Sequence, residues 1–243
     1  MRNERATSRG RRSVRGRGRA VAVAIGLLLA GLAVSIGFGI AFTVPLVVFG
    51  ASIDSPVTFL ALTAVGQIAL LAVGGAYVRR YGGVSVRWPN RRDARYIGGG
   101  LVVALVAAVG LGVVLASLGL APEGSVFDDP ITADPRLALG LAALSLVLVA
   151  PAEELLFRGA IQGRLRRSFG PVAGVGLASL LFGSVHLLNY TGSVVGAVGG
   201  VAVVTVGGAV FGTIYERTGN LVVPVVVHGC YNTALLVVAF LAA

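Results

Sequence analysis

Hydrophobic positions in this chain run in long blocks and do not alternate with polar ones. No Asp, Glu, Lys or Arg interrupts Ala20–Ile53, Ser55–Val78, Tyr96–Pro122, Leu137–Ala152, Ser168–Tyr215 or Thr218–Ala243. A helix crossing the hydrocarbon core needs about 20 predominantly apolar residues. Only helices and closed barrels satisfy every backbone polar group there. The pattern therefore predicts an all-α, polytopic transmembrane helical bundle. It has about seven spans (six to eight): 20–44, 57–79, 96–119, 136–157, 171–187, 193–215 and 220–241. Pro45 is expected to end the first helix, because proline lacks the backbone N–H that a helix interior uses. Pro151 is expected either to kink the fourth span or to restart it at Ala152.

The connections between spans alternate in charge. The tail before Ala20, the segment Arg79–Arg95 and the cluster Arg164–Arg167 are Arg-rich, whereas Asp54, Glu123, Asp128, Asp129 and Asp134 mark the other side, with Arg136 the exception. Basic residues concentrate on the cytoplasmic side of membrane proteins. That places the N-terminus in the cytoplasm, the C-terminus outside, and the protein in the cell membrane as a multi-pass chain. The division is an Arg-rich tail at 1–19 and a helical bundle at 20–243.

Composition adds three points. Glycine is abundant at 36 residues, and small residues let membrane helices approach closely. The net charge of +10 comes from arginine alone, with eight of the 20 before Ala20. A membrane span follows that tail at once, so lipid headgroups and not nucleic acid are its expected partner. Cys230 is the single cysteine, which excludes an intrachain disulfide and a thiolate metal cluster.

Against this apolar background three polar groups stand out: Glu153-Glu154 with Arg158, Phe182 with His186, and His228 with Asn232. A charge at the bilayer centre costs roughly 2.5–3.5 kcal/mol on insertion scales, so adjacent glutamates in a span need a reason. Residues four apart share a helix face. Glu154 can therefore pair with Arg158, a structural role. Glu153 is rotated by about 100° from it, free to face the bundle interior as a general base. His228 and Asn232 share a face, and both can donate hydrogen bonds to a developing oxyanion. Phe182 is expected to pack beside His186. Counting helical rise from the flanking arginines puts Glu153 and His228 at the same depth, about 16 Å from the Arg-rich side, with His186 less well aligned.

These three groups resemble the motifs of the CPBP family of intramembrane proteases, which includes the type II CAAX prenyl endopeptidases and the Abi, or bacteriocin-processing, proteins. The family pattern is Glu-Glu-x-x-x-Arg, then Phe-x-x-x-His, then His-x-x-x-Asn, present here in full and in order, with a protease-like core at about 136–241. The resemblance implies a glutamate-dependent endopeptidase acting on a membrane-associated or prenylated protein or peptide. It implies that Glu153 activates water with help from His186, that His228 and Asn232 stabilise the oxyanion, and that Glu154 and Arg158 shape the site. No cofactor is expected. Glu153, His186 and His228 would permit a three-ligand zinc site with an open position, but there is no His-x-x-x-His pair on one helix and no thiolate, which favours metal-free chemistry. The competing functions are a non-catalytic scaffold or immunity protein and a proton-coupled transporter; no internal repeat supports the latter.

Overall fold

The computed structural model describes residues 16–53 and 55–243; the arginines before Gly16 and Asp54, on which part of the charge alternation rests, lie outside the described residues. Among the described residues seven helices are long and apolar enough to span a membrane: α1 (Gly16–Val48), α2 (Pro56–Tyr81), α3 (Arg91–Ser117), α5 (Arg136–Phe169), α6 (Pro171–Asn189), α7 (Val194–Thr218) and α8 (Val222–Ala242). A short helix, α4 (Asp128–Ala133), precedes α5. The two-residue strands β1 (Gly124–Ser125) and β2 (Tyr190–Thr191) pair antiparallel across the end of the bundle, Gly124 opposite Thr191. The chain is thus the expected all-α bundle.

Local chemistry sets the helix ends. Ser55 accepts from the Thr58 N–H ahead of Pro56 at the start of α2. Asn90 and Asp93 form a reciprocal capping box at the start of α3. Gly170, at φ +85°, turns the chain sharply between α5 and α6, and Pro171 opens the new helix. Two expectations are corrected here. Pro45 does not end α1, which runs on to Val48: so close to the end, the ring removes a single donor and the later N–H groups still find carbonyls, Phe49 N–H on Pro45 and Ala51 N–H on Leu46. The fourth span does not stop near residue 157. Arg164–Arg167 lie on the last turns of α5 itself, because nothing before Gly170 breaks the helix.

Helix α5 is the central element and the most buried of the seven spans. It packs against α1, α2, α6, α7 and α8, while α3 covers α7 and α8 from outside. One apolar cluster joins Ala24 and Leu28 of α1, Leu156, Phe157, Ile161 and Leu165 of α5, and Ala178 and Phe182 of α6. A second joins Ala104, Phe211, Ile214, Val223 and Val227 across α3, α7 and α8. Gly74 and Gly229 allow the closest approaches to α5. A Cβ on Gly74 would lie 3.1 Å from the backbone of Leu156, and one on Gly229 would lie 3.3 Å from Leu146 Cα. Both glycines bring polar neighbours on their own helices up to the middle of α5.

The Arg-rich ends come together on one side. The 82–90 connection meets the turn after α7, where the Leu221 N–H bonds the Ser85 carbonyl and Asn220 bonds the backbone of Arg87 at both its N–H and its carbonyl. Arg166 pairs with Glu216 at 3.1 Å on the same side.

Candidate functional site

The middle of α5 is not a regular α-helix. Ser145–Val149 and Leu155–Gln162 are π-helical turns, and between them a five-residue α-helical segment, Ala150–Glu154, carries the two glutamates. Pro151 has no N–H for the Val147 carbonyl, and just before it the turn is wide, with a five-residue bond from Ala150 N–H to the Ser145 carbonyl. The helix does not restart at Ala152: it runs unbroken through Pro151, with wide turns on both sides of the carboxylates. Such π turns often occur at functional sites.

Glu153, Glu154, Arg158 and His228 are all buried. Glu154 is shared by two partners: Arg158 Nε donates to its Oε2 at 2.9 Å, and His228 Nδ1 donates to its Oε1 at 2.9 Å. Glu153 Oε2 stands 3.8 Å from His228 Nε2, beyond direct hydrogen-bond range. Its other oxygen accepts from Gln67 Nε2 of α2 at 3.1 Å. The pairing of Glu154 with Arg158 expected from four-residue spacing is present, and the expectation that the histidines belong to Glu153 is corrected, because His228 bonds Glu154 directly. A carboxylate offers two oxygens with several lone-pair sites, so Glu154 serves arginine and imidazole together. With Nδ1–H committed to Glu154, only Nε2 of His228 remains for other atoms. The proximity of the two groups agrees with the equal depths read from helical rise.

Aromatic rings fix the imidazole. Phe211 stacks on His228 with centroids 4.7 Å apart, and Phe182 meets it edge-on at 5.7 Å. Phe182 also packs on His186 at 4.8 Å, so its ring lies against both histidines, as expected for the second motif. Helix α6 gives way at His186 to a short 3₁₀ turn, His186–Asn189. His186 is half-buried, and its Nδ1–H donates to the Phe182 carbonyl at 2.8 Å, which leaves Nε2 with its lone pair in the neutral ring. No hydrogen bond joins His186 to Glu153. Asn232, one turn beyond His228 on α8, is half-buried, and its Nδ2 reaches Ser145 Oγ only at 3.5 Å.

Arg158 is the largest fully buried side chain. Its guanidinium lies over the Phe182 ring at 5.2 Å, a cation–π contact. Nη1 and Nη2 have no hydrogen-bond partner and face Gly212 and Gly208 of α7, where side chains would crowd them. Gln162, one turn further along α5, is tied to the Gly212 carbonyl and to Glu216. Among the described residues no group of three or more His, Cys, Asp or Glu is placed to hold a metal ion. The set Glu153, His186 and His228 thus does not fit a zinc site as it stands. Cys230 is free and half-buried.

Gln67 and Ser145 were not anticipated. The signal for Gln67 was available: it is the one amide in the uncharged stretch Ser55–Val78. It lies two turns before Gly74 on the face that touches α5. Gln67→Leu is expected to lower kcat/KM for the reaction of this site by roughly tenfold, the worth of a lost hydrogen bond to a charged group. The drop should fall on kcat. The same substitution leaves the buried Glu153 carboxylate without its donor, so a fall of a few degrees in melting temperature in detergent should accompany the kinetic effect. Unchanged kinetics would remove Gln67 from the site.

Residues 135–234 match the family model described as Type II CAAX prenyl endopeptidase Rce1-like. The match covers all three motifs, and the resemblance drawn from them holds over that region. It leaves out α1, α2 and α3, hence Gln67. No curated protein and no solved structure matches the chain.

Proposed function

From this Rce1-like region of a seven-helix membrane protein, we propose that the chain is an intramembrane endopeptidase in which Glu153 activates the water that attacks a peptide carbonyl. The observation that carries this reading is the convergence of Glu153 and Glu154 on the two nitrogens of one imidazole, His228, inside a span. A water can hydrogen-bond both Glu153 Oε2 and His228 Nε2 across their 3.8 Å separation. Glu153 takes one proton from that water as its oxygen attacks the carbonyl carbon. The Nε2 edge of His228 and the Asn232 amide line the place where the oxyanion forms and stabilise it. Collapse breaks the C–N bond, and the proton held by Glu153 passes to the leaving amine. Glu154 and Arg158 orient His228, and His186 borders the site through Phe182.

The substrate is a peptide or protein held at the membrane, of the prenylated CAAX type or a related membrane-associated class. This reading assigns no metal, because the sequence offers no thiolate cluster and no His-x-x-x-His pair on one helix to hold one. The multi-pass chain sits in the cell membrane with its N-terminus in the cytoplasm, a reading supported by the gathering of Arg-rich ends on one side.

The test is hydrolysis by the purified protein in detergent, with farnesylated and unmodified CAAX peptides and mass spectrometry of the fragments. Cleavage in H₂¹⁸O should place ¹⁸O in the new carboxyl group, and chelators should leave the rate unchanged. Failure to cleave any membrane-associated peptide would reject the reading. Loss on chelation, restored by zinc, would reject its metal-free form.

A further inference from the structure

At the Arg-rich side, a cleft of about 420 Å³ lies where the beginning of α1 meets the ends of α2 and α5. It is lined by Arg19, Val23, Tyr77, Tyr81, Arg164 and Arg167. Three guanidinium groups and two phenols line it, and among the described residues no carboxylate does. Arg166 has Glu216, Arg87 has Asp93 and Arg158 has Glu154 as partners, but among the described residues none of the cleft's three arginines forms an ion pair. Arg164 Nε is, moreover, shut off from solvent with no acceptor. Buried donors are almost always satisfied, and leaving one unmade is costly. The site therefore lacks an anionic acceptor.

The position of the cleft identifies the acceptor. Arg19 directly precedes the first uncharged stretch, and Arg164 and Arg167 sit on the last turns of α5, so the cleft lies at the edge of the apolar zone. Arg17 packs over Phe169 nearby, which ties α1 to the end of α5. Planar guanidinium forks match phosphate oxygens, tyrosines favour the headgroup level, and basic clusters beside spans attract anionic lipid. We propose that this cleft binds the phosphate of an anionic phospholipid headgroup and so clamps α1 and α2 to the end of the helix that carries the glutamates. A second basic groove, lined by Leu71, Ala72, Gly75, Ala76, Arg79 and Arg80, lies on α2 alone and provides the control.

The test does not depend on peptidase activity. Native mass spectrometry of the full chain in mild detergent compares bound phosphatidylglycerol with phosphatidylcholine of the same acyl chains. Wild type should retain phosphatidylglycerol preferentially. Arg164→Gln/Arg167→Gln should lower that retention about tenfold. Arg79→Gln/Arg80→Gln, with the same loss of charge, should not. Arg19→Gln, an exposed position, should weaken retention without affecting the fold. Equal losses from both pairs, or none from the cleft pair, would overturn the site. Retention of phosphatidylcholine as strong as that of phosphatidylglycerol, with displacement by millimolar inorganic phosphate, would overturn the lipid assignment in favour of a free phosphate.

Discussion

Glu153→Ala reduces peptide cleavage by a factor of at least about 10³, within the range that a positioned general base contributes, while the helices stay assembled. The side chain holds one hydrogen bond, from Gln67, and no apolar cluster includes it. Its loss therefore removes the acceptor for the water's proton without opening the core. The deficit should appear in kcat, with KM little changed, because substrate binding does not call on the carboxylate. Glu153→Gln separates charge from shape. The amide can still accept from Gln67 but cannot take a proton, so it should be as inactive as the alanine variant. Wild-type turnover in either variant would end the proposed chemistry, and the remaining basis for a peptidase would be the family match alone.

Arg158→Met has the largest expected effect on stability. Arg158 and Glu154 are both fully buried, and Glu154 also holds His228. Removing the arginine leaves a carboxylate inside the bundle with only an imidazole for a partner. Breaking a buried pair from one side costs about 3–5 kcal/mol, a fall of about 10 °C or more in melting temperature for a chain of this size. Replacing both, with Glu154→Gln/Arg158→Met, should recover much of the stability, since a neutral amide can still accept from His228 Nδ1. Activity should stay low, because the imidazole is no longer held beside a carboxylate. If Arg158→Met melted with wild type, the pair would not be holding the helix core, and Arg158's fully buried position would need another explanation.

Much of this was legible in the sequence. The runs without charge are long enough that seven spans follow from the cost of exposing backbone or charge to lipid. The three polar groups stand out because each interrupts such a run, and four-residue spacing alone pairs Glu154 with Arg158. What was not legible depends on which helices touch. Gln67 and Glu153 are separated by 86 positions, and their contact depends on α2 approaching α5 at Gly74. The wide turns on both sides of the glutamates in α5 depend on backbone hydrogen bonding that residue periodicity does not encode. His186 could not be placed by counting rise from Arg167 because Gly170, at φ +85°, turns the chain between α5 and α6.

By itself, then, the sequence determined that the chain is a helical membrane bundle and that Glu153, Glu154, Arg158, His186, His228 and Asn232 are its anomalous polar groups, because burying such groups in lipid is costly wherever they fall. Only the tertiary structure decided how they are shared: Glu154 between arginine and histidine, Glu153 between Gln67 and the free edge of the same ring. Helical rotation fixes the direction in which a side chain leaves its own helix. The neighbouring helices, brought close by small residues, decide which partner it meets.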